Sequence, residues 1–100
     1  MLPPLTPQEL AEFSDRVVEG TIESLTQKVV EVKDGTNIVY QASLGGVEFT
    51  FWQVDQRPMG WAGPCGQVDC PEQGQTGRAY LRQGDDGRLH LLEPNGWQPG

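Results

Sequence analysis

Apolar and polar residues change rhythm three times along this chain. The opening stretch reads as a helix. Thr6-Pro7-Gln8-Glu9 is a capping box with Pro at the first helical position, and Leu5 and Leu10 flank the cap as a staple. Leu10, Phe13 and Ala11 supply one apolar side, so a helix is expected over residues 6–14. It is too short to hold without docking on something. From Val17 the period falls to two. Val18, Gly20 and Ile22 share a face, and a run from 16 to 33 needs a bend at Gly20 or at Ser24-Leu25-Thr26. Lys33-Asp34-Gly35-Thr36 reads as a hairpin turn, because Asp-Gly tolerates positive φ. Ile38, Tyr40, Ala42 and Leu44 alternate through the next strand. Gly45-Gly46 closes a second tight turn, and Val47, Phe49 and Phe51 then alternate against Glu48, Thr50 and Trp52. Residues 16–54 therefore read as a three-stranded antiparallel meander with a long, bent first strand.

The rhythm is lost between 55 and 77. Three Pro, five Gly, both cysteines and Trp61 fall there, with almost no aliphatic residue. That density marks an irregular loop, and a loop this long in a small domain is usually functional or disordered. Alternation returns at 78–83 and 88–92, joined by Gly84-Asp85-Asp86-Gly87. Ala79 and Leu81 share one face, Leu89 and Leu91 another. Pro94-Asn95-Gly96 then turns the chain, and Trp97 ends the packed region. One helix, a meander, a long connection and a final hairpin make a single all-β domain over 1–100. The expected architecture is a five-stranded OB-like barrel with a short N-terminal helix, in which the loop replaces the helix often found before the fourth strand. Closure into a barrel would also remove exposed strand edges.

Composition narrows the partners. At 100 residues and 11.0 kDa, the mass scaling gives roughly 5,600 Å² of exposed surface, enough for one modest core. Fourteen acids against seven bases leave a net charge of −7, and the bases are dispersed. This opposes binding to nucleic acid or to anionic lipid. No apolar run approaches the length of a membrane span, so no membrane insertion is expected. The first residues lack the basic and apolar regions of a signal peptide.

Cys65 and Cys70 stand in Pro64-Cys65-Gly66-Gln67-Val68-Asp69-Cys70-Pro71. An even count in a small loop-rich chain favours a disulfide, hence export to the periplasm or beyond with the signal sequence already removed. Two free thiols in a cytosolic regulatory protein is the plainer reading. Zinc would need further ligands, and His90 is the one histidine. No metal or other cofactor is expected.

Three segments carry a family likeness. Phe13-Ser14-Asp15-Arg16-Val17-Val18-Glu19-Gly20-Thr21-Ile22 resembles the opening of OB-like β-barrel domains in secreted bacterial proteins. Asp34-Gly35-Thr36-Asn37-Ile38-Val39-Tyr40 resembles their first hairpin, and Gly77-Arg78-Ala79-Tyr80-Leu81 their fourth strand. The likeness implies fold and location more than activity. The chain departs from it in the cysteine loop.

No catalytic set emerges, so an enzyme is not expected. His90 lies mid-strand, opposite the face of Leu89 and Leu91, and reads as a surface histidine. Asp69 and Glu72 would raise a neighbouring thiol's pKa, where a nucleophile needs it lowered. Asp85-Asp86 is a polar turn, and Gly84-x-x-Gly87 lacks the Lys and helix of a phosphate loop. The aromatics say more. Trp52 falls opposite Phe49 and Phe51, Trp61 lies in the loop, and Arg57 is the one base between Lys33 and Arg78. Trp52, Arg57 and Trp61 could form a stacking surface for a protein or glycan. Alternatively, Trp61 folds back as a lid on the core. The expected function is a non-enzymatic binding module acting through residues 55–77, with a structural or assembly role as the rival.

Overall fold

The computed structural model describes residues 3–100. The helix α1 spans Pro7–Phe13, and its capping box is formed: Glu9 N–H donates to the Thr6 hydroxyl, and Thr6 N–H donates to the Glu9 carboxylate. Only Leu10 is buried; Phe13 and Ala11 stay exposed, so the apolar side is narrower than its sequence suggests. The Asn95 side chain exchanges two hydrogen bonds with the backbone of Leu5 and so ties the segment before the helix to the last turn.

Six strands follow: β1 (Arg16–Val32), β2 (Gly35–Leu44), β3 (Val47–Gln56), β4 (Thr76–Gln83), β5 (Leu89–Leu91) and β6 (Trp97–Pro99). The first five form a closed ring in the order β1-β2-β3-β5-β4-β1, in which only the β3–β5 pair is parallel. β1 serves two neighbours in turn. Arg16–Thr21 pairs with β4, and a bulge between Ile22 and Ser24 then carries it along β2 as far as Val32. β6 adds to β4 and was not expected from the sequence, where Trp97 marks only the end of packing.

Ile22, Ala42, Leu44, Phe49, Phe51, Ala79, Leu81, Leu91 and Trp97 form the core. All the expected alternating sets contribute to it, because a ring encloses one face of each strand. Gly45 and Gly46 adopt φ of 59° and 78°, the double left-handed turn that a two-residue hairpin needs. The first hairpin differs by one residue from expectation. Its turn is Lys33-Asp34, and Gly35 pairs with Val32 inside the strand. Gly35 is required there because the Gln56 carbonyl occupies the space a Cβ would fill.

The pairing around the ring uses only part of β1, whose distal half has β2 alone beside it among the described residues. The folded chain exposes 6230 Å², above the roughly 5,600 Å² of the mass scaling. Val29, Val32 and Met59 are among the exposed large apolar residues. The expectation that closure removes every edge therefore fails for the distal half of β1.

Candidate functional site

The 57–75 segment is irregular but firmly placed. It first runs back along β3. Val54 N–H donates to Cys65 O (3.1 Å), Gln67 N–H donates to Trp52 O (2.9 Å), and Gly66 bridges Gln53. Gly66 has φ of 79°, and its bare Cα lies against the Trp52 carbonyl and indole, where a Cβ would collide. Next comes a polar plug. Gln67 is 3% exposed, and its amide donates to Leu92 O at 2.7 Å and Leu91 O at 3.4 Å. The Gln53 amide donates to the Gln67 backbone carbonyl, and its own side-chain carbonyl accepts from the Tyr40 hydroxyl, whereas the buried Gln67 Oε1 has no partner among the described residues. Tyr40 also stacks on Phe51 with ring centroids 4.6 Å apart. Pro71 is fully buried, and Gly74 and Ile22 complete the crossing with Gly74 N–H to Ile22 O and Ile22 N–H to Gln75 O. The segment thus spans from β3 to β1 and does for the ring what a capping helix would do.

Backbone pairing and burial pin the loop; a disulfide does not. Cys65 and Cys70 are both free, which corrects the disulfide expected from their count. Their surroundings separate them. Cys65 follows the bend at Gly63, whose carbonyl lies 3.7 Å from its Sγ, and its backbone belongs to the strap along β3. Cys70 is half-buried and packs against the core, as Leu25 and Tyr40 do. Burial, with the Asp69 charge beside it, pushes the Cys70 thiol up from 9.0 to about 11. Burial likewise raises the Tyr40 hydroxyl, helped by Cys70 and Asp55. The argument from a disulfide to an oxidising compartment falls with the bridge.

Arg57 and Trp61 come together, and strand alternation puts Trp52 on the same outer side of the sheet. The Arg57 guanidinium lies 4.7 Å from the centroid of the Trp61 ring. Its Nη1 donates to Thr36 O (2.8 Å) and Gln56 O (2.9 Å), and its Nη2 donates to the Asn37 side chain. Three acceptors hold one planar cation, so the face it offers Trp61 is fixed. Asn37 pairs with Val54, and Val39, two residues on, pairs with Trp52. By alternation these four side chains share the outer face. The Arg57–Trp61 stack therefore stands one residue pair beyond Trp52 on the same surface. The Trp52 indole N–H donates to Glu93 (3.1 Å), which fixes its ring as well. Gly63 lies so close to Trp61 that a Cβ would strike the indole.

Trp61 is half-exposed and takes no part in the core, so it is not the lid considered from the sequence; Pro71, Gln67 and Cys70 fill that place. Around it the loop tip is bare: Met59 is fully exposed, and Pro58, Ala62 and Pro64 are exposed too. Sequence reasoning missed Asn37, Glu93 and Gln67. Asn37 and Glu93 are polar residues distant in sequence that act on Arg57 and Trp52, and only strand register brings them there. His90 has a partner after all, since its Nε2 lies 3.1 Å from both Asp86 carboxylate oxygens across the β4–β5 turn. The backbone N–H of Arg88 and then His90 hold the Asp86 carboxyl below the usual range. No helix among the described residues is long and apolar enough to cross a membrane. No family model, curated protein or solved structure matches the chain.

Proposed function

We propose that the chain is an OB-like, non-enzymatic binding module that takes a protein partner through the outer surface made by Trp52, Arg57 and Trp61. The strand order, with β3 and β5 parallel and β1 shared between β2 and β4, supports the OB-like reading. An exported location rests on the resemblance to secreted bacterial domains alone. The observation that carries the binding role is the Arg57–Trp61 stack, held by Thr36, Gln56 and Asn37 before any partner arrives. Prearranged aromatic and Arg side chains bind well because little rotamer freedom remains to be lost. A protein is favoured over a glycan by the bare Met59 and the Pro-rich tip beside Trp61, which offer apolar surface without the polar groups a sugar needs. The structural or assembly role differs only in how permanent the partner is.

The test places a photo-crosslinking amino acid at Met59 and irradiates the protein in an extract of its source. One dominant protein adduct is expected, and Trp61→Ser should abolish it while the fold persists by circular dichroism. A glycan array run with the same pair of proteins separates the alternatives. A glycan signal that depends on Trp52 and Trp61, without a protein adduct, replaces the protein reading with the glycan one. Neither signal would end the proposal.

A further inference from the structure

One long row of backbone groups in this fold has no partner. β1 leaves β4 after Thr21, and the loop accompanies it only to Glu23, whose carbonyl accepts from the Gln73 side chain. Among the described residues, the backbone from Leu25 to Val32 is hydrogen-bonded to β2 alone. The two-residue turn at Lys33-Asp34 makes Val32 and Gly35 a hydrogen-bonded pair, and the ladder alternates from there. Val32, Val30, Lys28 and Thr26 thus direct their N–H and C=O groups at β2. Leu25, Gln27, Val29 and Glu31 direct theirs at the open edge.

Proteins usually guard such an edge with Pro, a bulge or several charges. Leu25–Val32 contains no Pro, no Gly and no bulge, and one Lys. It is also locally neutral. Residues 24–34 hold Lys28 and Lys33 against Glu31 and Asp34, so the −7 of the chain lies elsewhere. A β-prone strand without net charge, Pro or Gly is one that pairs with its own kind.

We propose that Leu25–Val32 pairs antiparallel with the same segment of a second copy, about a two-fold axis at Val29. The occupant follows from the chemistry of the edge. Water meets these groups in the single chain; the protein element that replaces it along a row of alternating N–H and C=O groups is another extended strand, and local neutrality lets a second acidic chain supply it. The register follows from symmetry. A two-fold axis through a continuous sheet keeps each residue on its own face, so facing residues differ by an even number. Centring on Lys28 sets two ammonium groups opposite each other. Centring on Val30 sets Glu31 against Val29. Centring on Val29 sets Val29 against its copy, Gln27 against Glu31 and Lys28 against Val30, with no like charges facing. It covers Val29, which is 63% exposed in the single chain, and it forms about six interchain hydrogen bonds, two for each hydrogen-bonded pair. One strand pairing buries less than the roughly 1,200 Å² of a permanent interface, so the dimer forms reversibly with concentration. The Trp61 surface lies outside this edge, and the inference stands apart from the binding role.

Sedimentation velocity from micromolar to millimolar protein is the test. The native chain should pass from monomer to dimer. Val29→Lys should weaken the dimer by about tenfold or more through facing like charges. Val29→Pro should do the same by removing an N–H that only the second copy uses, and unchanged urea midpoints would show that both variants fold. Amide exchange adds the register: protection at Val29 and Glu31 should rise with concentration while Lys28 and Val30 stay constant. A chain that remains monomeric throughout overturns the proposal. So does a dimer that survives Val29→Lys, or one that Trp61→Ser abolishes.

Discussion

From Arg16 to Thr21, β1 pairs with β4; Ile22 has Leu44 on one side and Gly74 and Gln75 on the other; from Leu25 to Val32 it pairs with β2 alone. The two halves have similar sequences. Val18, Gly20 and Ile22 alternate on the inner face of the first; past the bulge Leu25, Gln27 and Val29 take that face, and Val30 and Val32 turn outward beside Asn37 and Gly35. Their fates differ because burial depends on what lies across the sheet. The first half faces Leu44, Ala79 and Leu81 inside the ring, and Ile22 is fully buried. Among the described residues the second half has no strand beyond it, and Val29 and Val32 stay exposed to water. Closure, more than hydrophobic pattern, decides which residues become core. The features that could meet a partner all lie in the open half: the unpaired edge, the Arg57–Trp61 stack and the bare loop tip.

The largest expected effect comes from the closed half. Leu81→Ala should lower the unfolding free energy by about 3 kcal/mol, since the ring cannot collapse onto the cavity. Val29→Ala should change it by less than about 0.5 kcal/mol at dilutions where the chain is alone. Urea unfolding of both variants measures the contrast directly, and similar losses would erase it. Gly66→Ala comes next, at about 2 kcal/mol, because the residue combines a left-handed backbone with contact against the Trp52 carbonyl. Its loss should also free the strap, seen as faster alkylation of Cys65.

Cys70 gives a smaller effect with a defined pH window. Its folded pKa of about 11 lies above the ordinary 9.0, so the folded state holds the proton longer. The contribution is fully present below pH 9 and is lost as pH rises toward about 11. A stability profile across that range should fall for the native chain and flatten in Cys70→Ala. In the native protein at neutral pH, Cys70 should also react with iodoacetamide far more slowly than when unfolded. Smallest of all is Asp86→Asn. The Asp86 pKa is lowered in the fold, so its contribution is present above the unfolded value and disappears as pH falls through the folded one. Because the group is exposed, the variant should only slightly flatten the acid limb of the stability profile.

Local signals made the ring legible in the sequence. The capping box, the Gly45-Gly46 turn and the alternation of Ala42, Leu44, Phe49 and Phe51 each depend on neighbours within a few residues. What escaped was set by register or by tertiary contact. β6 is three residues long and follows a turn, too short for a period to declare itself. The cysteine spacing suggested a bridge, yet the strap along β3 turns Cys65 and Cys70 to different surroundings. Trp52, Arg57 and Trp61 were legible as chemistry. Their anchors Asn37 and Glu93 were not, because ordinary polar residues gain such roles only when a strand pairing carries them there. The Asp-Gly context points to a turn at Gly35, whereas the approach of the Gln56 carbonyl is what excludes a side chain.

The division between closed ring and open half is tested most directly by residue-resolved amide exchange in dilute solution. The N–H groups of Ile22, Tyr80 and Leu92, bonded across the ring and its plug, should exchange only through global unfolding. Those of Gln27, Val29 and Glu31 should exchange many orders of magnitude faster, while Lys28 and Val30 between them stay protected by β2. Equal, strong protection at Val29 and Ile22 in a chain shown to be monomeric would contradict the account.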